Sequence, residues 1–405
     1  MLYRFDDVEL DTSVFELRRA GERVPVQPQV FEVLTYLVEH RDRLVPRTEL
    51  LDVVWGDRFV SDSALSSRVK AARAAIGDDG VSQRCIRTVH GRGLQFVAPV
   101  VAVVPATPGP APDAPDAVTT PADLHQSVRI VPARGGVQLA VATVGDGPPL
   151  VKAANWLTHV EHDWRSPVWR HWMTELGRRF RYVRYDARGC GLSDHDLGGL
   201  SLTDVDVWTD DLQAVVDDTV TGPLALLGVS QGAGPALAYA VRHPDRVSHL
   251  VLYGGYSQGV RRRSRGEAEQ WQKMLELMPV GWGGKNPAFR SVFTMTFMPD
   301  ATSEQIRWFN ELQERTTDPE HAMLLESAFY DADFTDLARS VRVPTIVIHC
   351  RDDHAVPYEE GRRLAALVPG AELVTLDSAN HILTADEPAW TEFLVQIERF
   401  TGVGR

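Results

Sequence analysis

LALLGVSQGAGPALAYAVRHP, residues 224–244, runs from an apolar stretch through a serine framed by small residues into a small-residue helix pattern. Leu224–Gly228 reads as a buried strand and Gly232–His243 as a helix, with Gly228-Val229-Ser230-Gln231-Gly232 on the turn between them. A bare G-x-S-x-G is common by chance, whereas one that ends a strand and opens a helix is a nucleophile elbow. So sharp a turn demands small neighbours, and Gly228, Gly232 and Ala233 supply them. The helix N-terminus then lends positive dipole to charge forming near the serine oxygen. The Gln231 backbone N–H is expected as one half of an oxyanion hole.

Working outward, further strand-like runs lie at Leu150–Ala154, Tyr182–Tyr185, Leu250–Tyr253, Thr345–His349 and Glu372–Leu376. Helical patterns at Asp206–Thr219, Tyr358–Leu367 and Trp390–Phe400 fall between and after them. This alternation predicts an α/β architecture: a mostly parallel sheet with helices on both faces. The stretch from Ser257 to about Ser340 breaks the rhythm. It is helical, rich in Trp, Phe and Met, and long enough to be an inserted lid. Its aromatics, among them Trp271, Trp282, Phe293 and Trp308, are core residues first, though a lid presents some of its side chains to whatever binds beneath it.

A serine hydroxyl is a poor nucleophile until a base takes its proton. After the strand TIVIH come Asp352, Asp353 and His354, and after the last strand comes Ser378-Ala379-Asn380-His381. Both segments lie at carboxyl ends of strands, where open α/β sheets build their sites. The chain order Ser230, Asp353, His381 is the order in which a serine triad falls on an open α/β sheet with such an elbow.

Residues 125–402 resemble the α/β-hydrolase superfamily through RYDARGCGLSD (184–194), GVSQGAGPALAYAVRHPDRVSHLVLYGG, RDDHAVP and ANHILTADEPAWTEFL. The resemblance implies the fold, and it selects Asp353 over Asp352 because the family acid precedes the proline of RDDHAVP by four residues. The sequence departs from the family where His-Gly normally follows the early strand. Here Asn155-Trp156-Leu157-Thr158 stands instead, with a bulky Trp156 at a normally small position. The resemblance implies a second oxyanion donor in this turn after the early strand, at Trp156 or Leu157.

Other motifs carry less. His159-Val160-Glu161-His162 is one residue short of a zinc-binding H-x-x-E-H and reads as loop polarity. Arg188-Gly189-Cys190-Gly191 fits no dinucleotide pattern. Cys85, Cys190 and Cys350 form no C-x-x-C pair, so neither a disulfide framework nor a metal site is expected. No cofactor motif is present, and the expected list of metals and cofactors is empty.

Residues 101–122 hold six prolines in 22 positions, the composition of a semi-rigid extended linker. It separates residues 1–100 from a domain over 123–405 with its lid at about 257–340. In 1–100, short strand patterns (Tyr3–Phe5, Val8–Asp11, Phe15–Arg18, Glu22–Pro25) precede a helix from Pro28, a second at LLDVVWG and a third at SDSALSSRVKAARAAIG, where Ser61 is the expected cap. RCIRTVHGRGLQFVAPV then reads as a hairpin turning at His90–Gly93. Three helices and a hairpin make a winged helix-turn-helix. From Leu65 to Phe96 there are six basic and two acidic residues, although 1–100 as a whole holds 14 basic and 15 acidic. A positive face on a neutral body suits phosphate-directed docking on double-stranded DNA. Ser66, Ser67, Arg68, Lys70 and Arg73 on the third helix are candidates for the major groove, and Arg92 for the neighbouring minor groove. The stretch VPVQPQVFEVLTYLVEHRDRLVPRTELLDVVWG, with SRVKAARAAIG and IRTVHGRGLQFVAP, resembles the OmpR-type winged helix-turn-helix output domain of response regulators, which implies DNA binding. A receiver domain ahead of it is not expected.

The net charge of −13 argues against a protein that coats nucleic acid or anionic membrane with its whole surface. No signal peptide or membrane span is visible, so a cytoplasmic protein with no membrane partner is expected. Tandem half-sites, common for such heads, make a homodimer an open expectation. Two functions stay in contention. One is a transcriptional regulator whose serine-hydrolase-like domain senses a small, fairly apolar carbonyl compound. The other is an active carboxylic-ester hydrolase with an accessory DNA-binding module. The residues leave open whether the triad turns over.

Overall fold

The computed structural model describes residues 2–12, 16–24, 26, 28–41, 43–50, 62–89, 92–103, 124–197, 199–284 and 286–403. The expected second helix at LLDVVWG, its neighbour Ser61, the His90-Gly91 turn and the proline-rich residues 104–122 lie essentially outside that set. The chain divides into two compact units, residues 1–118 and 119–405.

The smaller unit is a winged helix-turn-helix domain. Strands β1 (Leu2–Phe5), β2 (Val8–Asp11), β3 (Glu16–Arg19) and β4 (Glu22–Arg23) form an antiparallel meander, and β5 (Ile86–Val89) pairs with β6 (Gly93–Phe96) as the wing. Helices Pro28–Glu39 and Asp62–Ala75 pack against each other, and the first also against β6. Along the second of these, Leu65, Val69, Ala72 and Ile76 recur at helical spacing and are buried, which fixes the opposite face outward. One boundary needs correcting. Val101–Val103, counted with the linker, form a further strand, β7, antiparallel to β1 with Leu2 opposite Val103. The prolines begin only at Pro105, so nothing before them forbids pairing.

The larger unit has an eight-stranded sheet in the order β15-β14-β13-β12-β10-β11-β9-β8. Its strands are β8 (Gln126–Pro132), β9 (Gln138–Val144), β10 (Pro149–Ala153), β11 (Arg181–Tyr185), β12 (Leu224–Val229), β13 (Val247–Tyr253), β14 (Thr345–Cys350) and β15 (Glu372–Leu376). From β15 to β11 every neighbouring pair is parallel, while β9 and β8 extend the sheet antiparallel. Every residue of β12 and β14 is buried, as a sheet covered on both faces requires. After β10 the chain makes β11 on one side of it and then β12 on the other. That reversal opens a crevice beyond the carboxyl ends of β10 and β12.

Between β13 and β14 lie the helices Val260–Arg263, Arg265–Gly281, Ala288–Phe297, Ser303–Thr316, Pro319–Ser327 and Thr335–Ser340. They form a lid whose apolar side joins the core of the sheet domain. Thr302 and Gln305 cap the Ser303–Thr316 helix reciprocally. Among the described residues no helix is long and apolar enough to cross a membrane.

Candidate functional site

The end of β12 delivers Ser230 into the crevice with φ of 53°. A non-glycine residue in the left-handed region is strained and persists only where its surroundings enforce it. Here the enforcement is steric. A Cβ on Gly228 would stand 2.9 Å from Ala236 Cβ, and one on Gly232 would stand 2.9 Å from the Ala153 carbonyl oxygen. Both elbow glycines are therefore required by close approach, and helix Ala233–Arg242 starts directly beneath the serine.

His381 and Asp353 come from the loops after β15 and β14. Their side chains meet with Nδ1 of His381 2.6 Å from Oδ2 of Asp353, both nearly inaccessible. The other carboxylate oxygen, Oδ1, accepts from the backbone N–H groups of Ala355 and Val356, each at 2.9 Å. Burial acts to raise the Asp353 carboxyl, but His381, His349 and the Val356 N–H outweigh it and hold the group below the usual carboxylate range. Asp352, the alternative acid, is exposed. Nε2 of His381 is buried and has no hydrogen-bond partner among the described residues, and His381 lines the same cavity as Ser230.

Several residues that hold the imidazole were not singled out from the sequence. Gly254 has φ of 58°, and a Cβ there would lie 2.7 Å from Cε1 of His381. The Tyr253 hydroxyl donates to the His381 carbonyl oxygen at 2.9 Å. His349, fully buried at the end of β14, places Nε2 3.6 Å from Oδ2 of Asp353 and 2.9 Å from the Val356 carbonyl oxygen. The glycine pair after β13 was visible in the sequence, but its task was not, because it depends on a loop 127 positions further along.

The two expected oxyanion donors lie side by side at the crevice, on the turns after β12 and β10. The Trp156 N–H is engaged, donating at 3.2 Å to the side-chain oxygen of Gln231. The bulky indole does not fill the site. It stacks on Trp282 of the lid with ring centroids 5.3 Å apart and meets Phe293 edge-on at 5.9 Å.

Around Ser230 the crevice is a cavity of about 810 Å³ including its mouth. Trp271, Phe297, Phe309, Phe329 and Tyr330 supply apolar wall, and Glu326 and Arg263 bring charge into it. Burial pushes the Glu326 carboxyl up to about 7, although the Tyr330 hydroxyl and the Trp156 indole N–H donate to it. The Arg263 guanidinium lies over the Tyr256 ring, 4.5 Å from its centroid. The His159–His162 segment caps a short helix, and His162 stacks on Trp308 of the lid at 4.0 Å. Cys85, Cys190 and Cys350 are all buried, and burial pushes each thiol up to about 12.

On the winged domain, Ser66, Ser67, Lys70 and Arg92 are exposed. Arg68 is half-buried, its Nε donating to Gln29 at 2.9 Å. Arg73 faces the wing: Nη2 donates to the Ile86 carbonyl oxygen at 2.8 Å and to Thr88 at 2.9 Å. Its guanidinium thus ties the helix to the wing. Asp78 does the same from the helix end, with its carboxylate accepting from the N–H groups of Arg84, Cys85 and Ile86.

The family described as "alpha/beta hydrolase fold" matches residues 164–388, and the family "Transcriptional regulatory protein, C terminal" matches residues 21–96. The first match begins after the Asn155–Thr158 turn, the segment that departs from the family pattern. Over 269 residues the chain is 26% identical to the AB hydrolase superfamily protein YisY of Bacillus subtilis, a match covering 60% of this chain and 89% of that protein. It is 36% identical over 106 residues to the transcriptional regulator HilA of Salmonella typhi, covering 26% of this chain but only 19% of HilA. Among solved structures, an esterase from Exiguobacterium antarcticum shares the fold with a TM-score of 0.56 at 22% identity, covering 67% of this chain and 98% of the esterase.

Proposed function

The chain belongs to the alpha/beta hydrolase fold family and joins that domain to a transcriptional-regulator DNA-binding domain; from this premise we propose that it is a transcriptional regulator whose hydrolase domain senses a small, fairly apolar carbonyl compound. The observation that carries the proposal is the buried Asp353–His381 pair opening onto a largely aromatic cavity that also holds Ser230. A binding pocket without chemistry needs neither the strained serine nor the paired imidazole. A metabolic esterase, in turn, gains nothing from a base-reading helix.

In this reading Ser230 Oγ attacks the ligand's carbonyl carbon. His381 takes the serine proton on Nε2 and returns it to the leaving group, while Asp353 holds the ring and stabilises the imidazolium. The Gln231 and Trp156 backbone N–H groups stabilise the oxyanion. Ser66, Ser67, Lys70 and Arg92 meet DNA, with Arg68 at the edge of that face. Arg73, proposed from the sequence as a contact, positions the wing.

The test pairs two measurements on wild type and Ser230→Ala: hydrolysis of p-nitrophenyl acetate, and affinity for genomic fragments selected by the wild-type protein, with and without candidate carbonyl ligands. Turnover lost with a ligand-dependent DNA response retained supports sensing by occupancy. A response lost along with turnover makes acylation itself the signal. Failure of both proteins to bind DNA overturns the regulator reading and leaves an esterase.

A further inference from the structure

The residue after the nucleophile carries a side chain that the proposed chemistry does not use. Gln231 is buried, and its amide bridges two segments. Oε1 accepts the Trp156 N–H at 3.2 Å, and Nε2 donates to the Leu325 carbonyl oxygen at 2.9 Å. These partners fix the amide's orientation, because a backbone N–H only donates and a carbonyl only accepts. Leu325 belongs to the lid helix Pro319–Ser327. The same helix is reached from Trp156 by a second route. The Trp156 indole stacks on Trp282, whose own indole N–H donates at 3.1 Å to the carbonyl oxygen of Thr317, two residues before the helix.

We infer that the Gln231 side-chain carbonyl is a built-in occupant of the oxyanion site, and that a ligand which displaces it also releases the lid helix Pro319–Ser327. The inference rests on the reading of Trp156 N–H as an oxyanion donor. An amide carbonyl and a neutral ester carbonyl compete for one N–H on nearly equal terms, but a full negative charge on oxygen makes the bond roughly twice as strong. The Gln231 amide therefore yields to a tetrahedral adduct and not to a neutral bound carbonyl. The ligand class that opens the lid is one that reacts with Ser230: activated esters, boronic acids and phosphonates. When Gln231 turns away, the buried Leu325 carbonyl loses the shorter of its two donors and keeps only the Ala328 N–H at 3.4 Å, and a buried acceptor so weakly served is costly. Movement or hydration of that helix follows.

The test uses full-length protein and hydrogen exchange at residues 319–327, with and without a p-nitrophenyl alkylphosphonate. In wild type, phosphonylation should speed exchange there about five-fold, the worth of one hydrogen bond. A non-reacting ether of the same shape should leave it unchanged. Gln231→Met, which neither donates nor accepts, should exchange at the faster rate without any ligand and gain nothing further on phosphonylation. Gln231→Asn, too short to span both partners, should behave likewise if the methionine variant does not fold. Equal unliganded exchange in wild type and either variant overturns the inference, as does a phosphonate effect of full size in the variants. If Ser230 does not react at all, the proposed chemistry fails, yet the unliganded comparison still decides whether Gln231 ties down the helix.

Discussion

The main-chain N–H of His381 donates at 2.8 Å to the carbonyl oxygen of Phe297, the last residue of a lid helix. Ile382 N–H shares that acceptor at 3.2 Å. The loop that carries the imidazole is therefore suspended from the lid, and the position of that ring depends on how well helix Ala288–Phe297 is packed. Phe293, fully buried on that helix, meets Trp156, Trp282 and Phe297. Phe293→Ala should cost about 3–5 kcal/mol of stability, or roughly 10 °C of thermal midpoint. It should also slow phosphonylation of Ser230. Calorimetry and inactivation kinetics on one sample check both; an unchanged inactivation rate in the destabilised protein would separate the base from the lid.

Gly254→Ala forces a Cβ to within 2.7 Å of His381 Cε1 and places alanine at φ of 58°. Backbone strain of about 1 kcal/mol is expected. The displaced ring should cost at least ~10-fold in esterase rate, a penalty of the kind small misplacements bring. Equal rates for the two proteins would show that the ring does not need this gap.

Asp353→Asn should lower hydrolysis by about 10⁴-fold, because an amide facing Nδ1 favours the wrong tautomer. Asp352→Asn, at an exposed side chain, should change the rate by less than about two-fold, as for most surface sites. Kinetics of the two neighbours under one condition decide which carboxylate works. The reverse ranking refutes the assignment.

Glu326 links the pocket to pH. Its folded pKa is raised to about 7 by burial, so its contribution to stability is fully present below the ordinary glutamate value and is lost as pH rises through about 7. At pH 8 the folded protein must bury a charge that the unfolded chain would leave in water. Glu326→Gln removes that cost, and should raise the thermal midpoint by roughly 2–4 °C at pH 8. Near pH 4 the advantage should vanish. Melting curves across the range give the answer, and a constant offset would mean that the carboxyl is not titrating there.

Lys70→Ala and Arg92→Ala remove exposed charges of the winged domain. Each should weaken DNA binding and reduce the slope of log affinity against log salt by about one phosphate contact. Arg73→Ala should instead lower the melting temperature of this domain, since the guanidinium holds the wing at Ile86 and Thr88. Salt titrations beside thermal melts distinguish the roles. A stable Arg73→Ala protein with a reduced salt slope would return Arg73 to the DNA face.

The sequence made most of this architecture legible where one chain segment contains its own cause. The elbow is such a case: strand, small residues and helix follow one another from Leu224 to Arg242. The loops bearing Asp353 and His381 could be found because strand ends collect sites, and residue order narrowed the choice. Strand β8 was missed along with β9; it lies at a sheet edge and turns Val128 and Ile130 outward, so its apolar residues mark no core face. The partners of Gln231, Gly254 and Arg73 were illegible for another reason. Each acts on a group brought near only by tertiary folding, and nothing local distinguishes such a glutamine, glycine or arginine from its solvated counterparts.

The buried thiols have a practical side. With all three cysteines enclosed and their pKa values near 12, the native protein presents almost no thiolate at neutral pH, and thiolate is the form that alkylating reagents attack. A single cysteine installed at a solvent-facing lid position such as Val280, 81% exposed, can then carry a fluorophore or spin label against a silent background. The molecule arrives, in effect, already prepared for watching its lid move in solution.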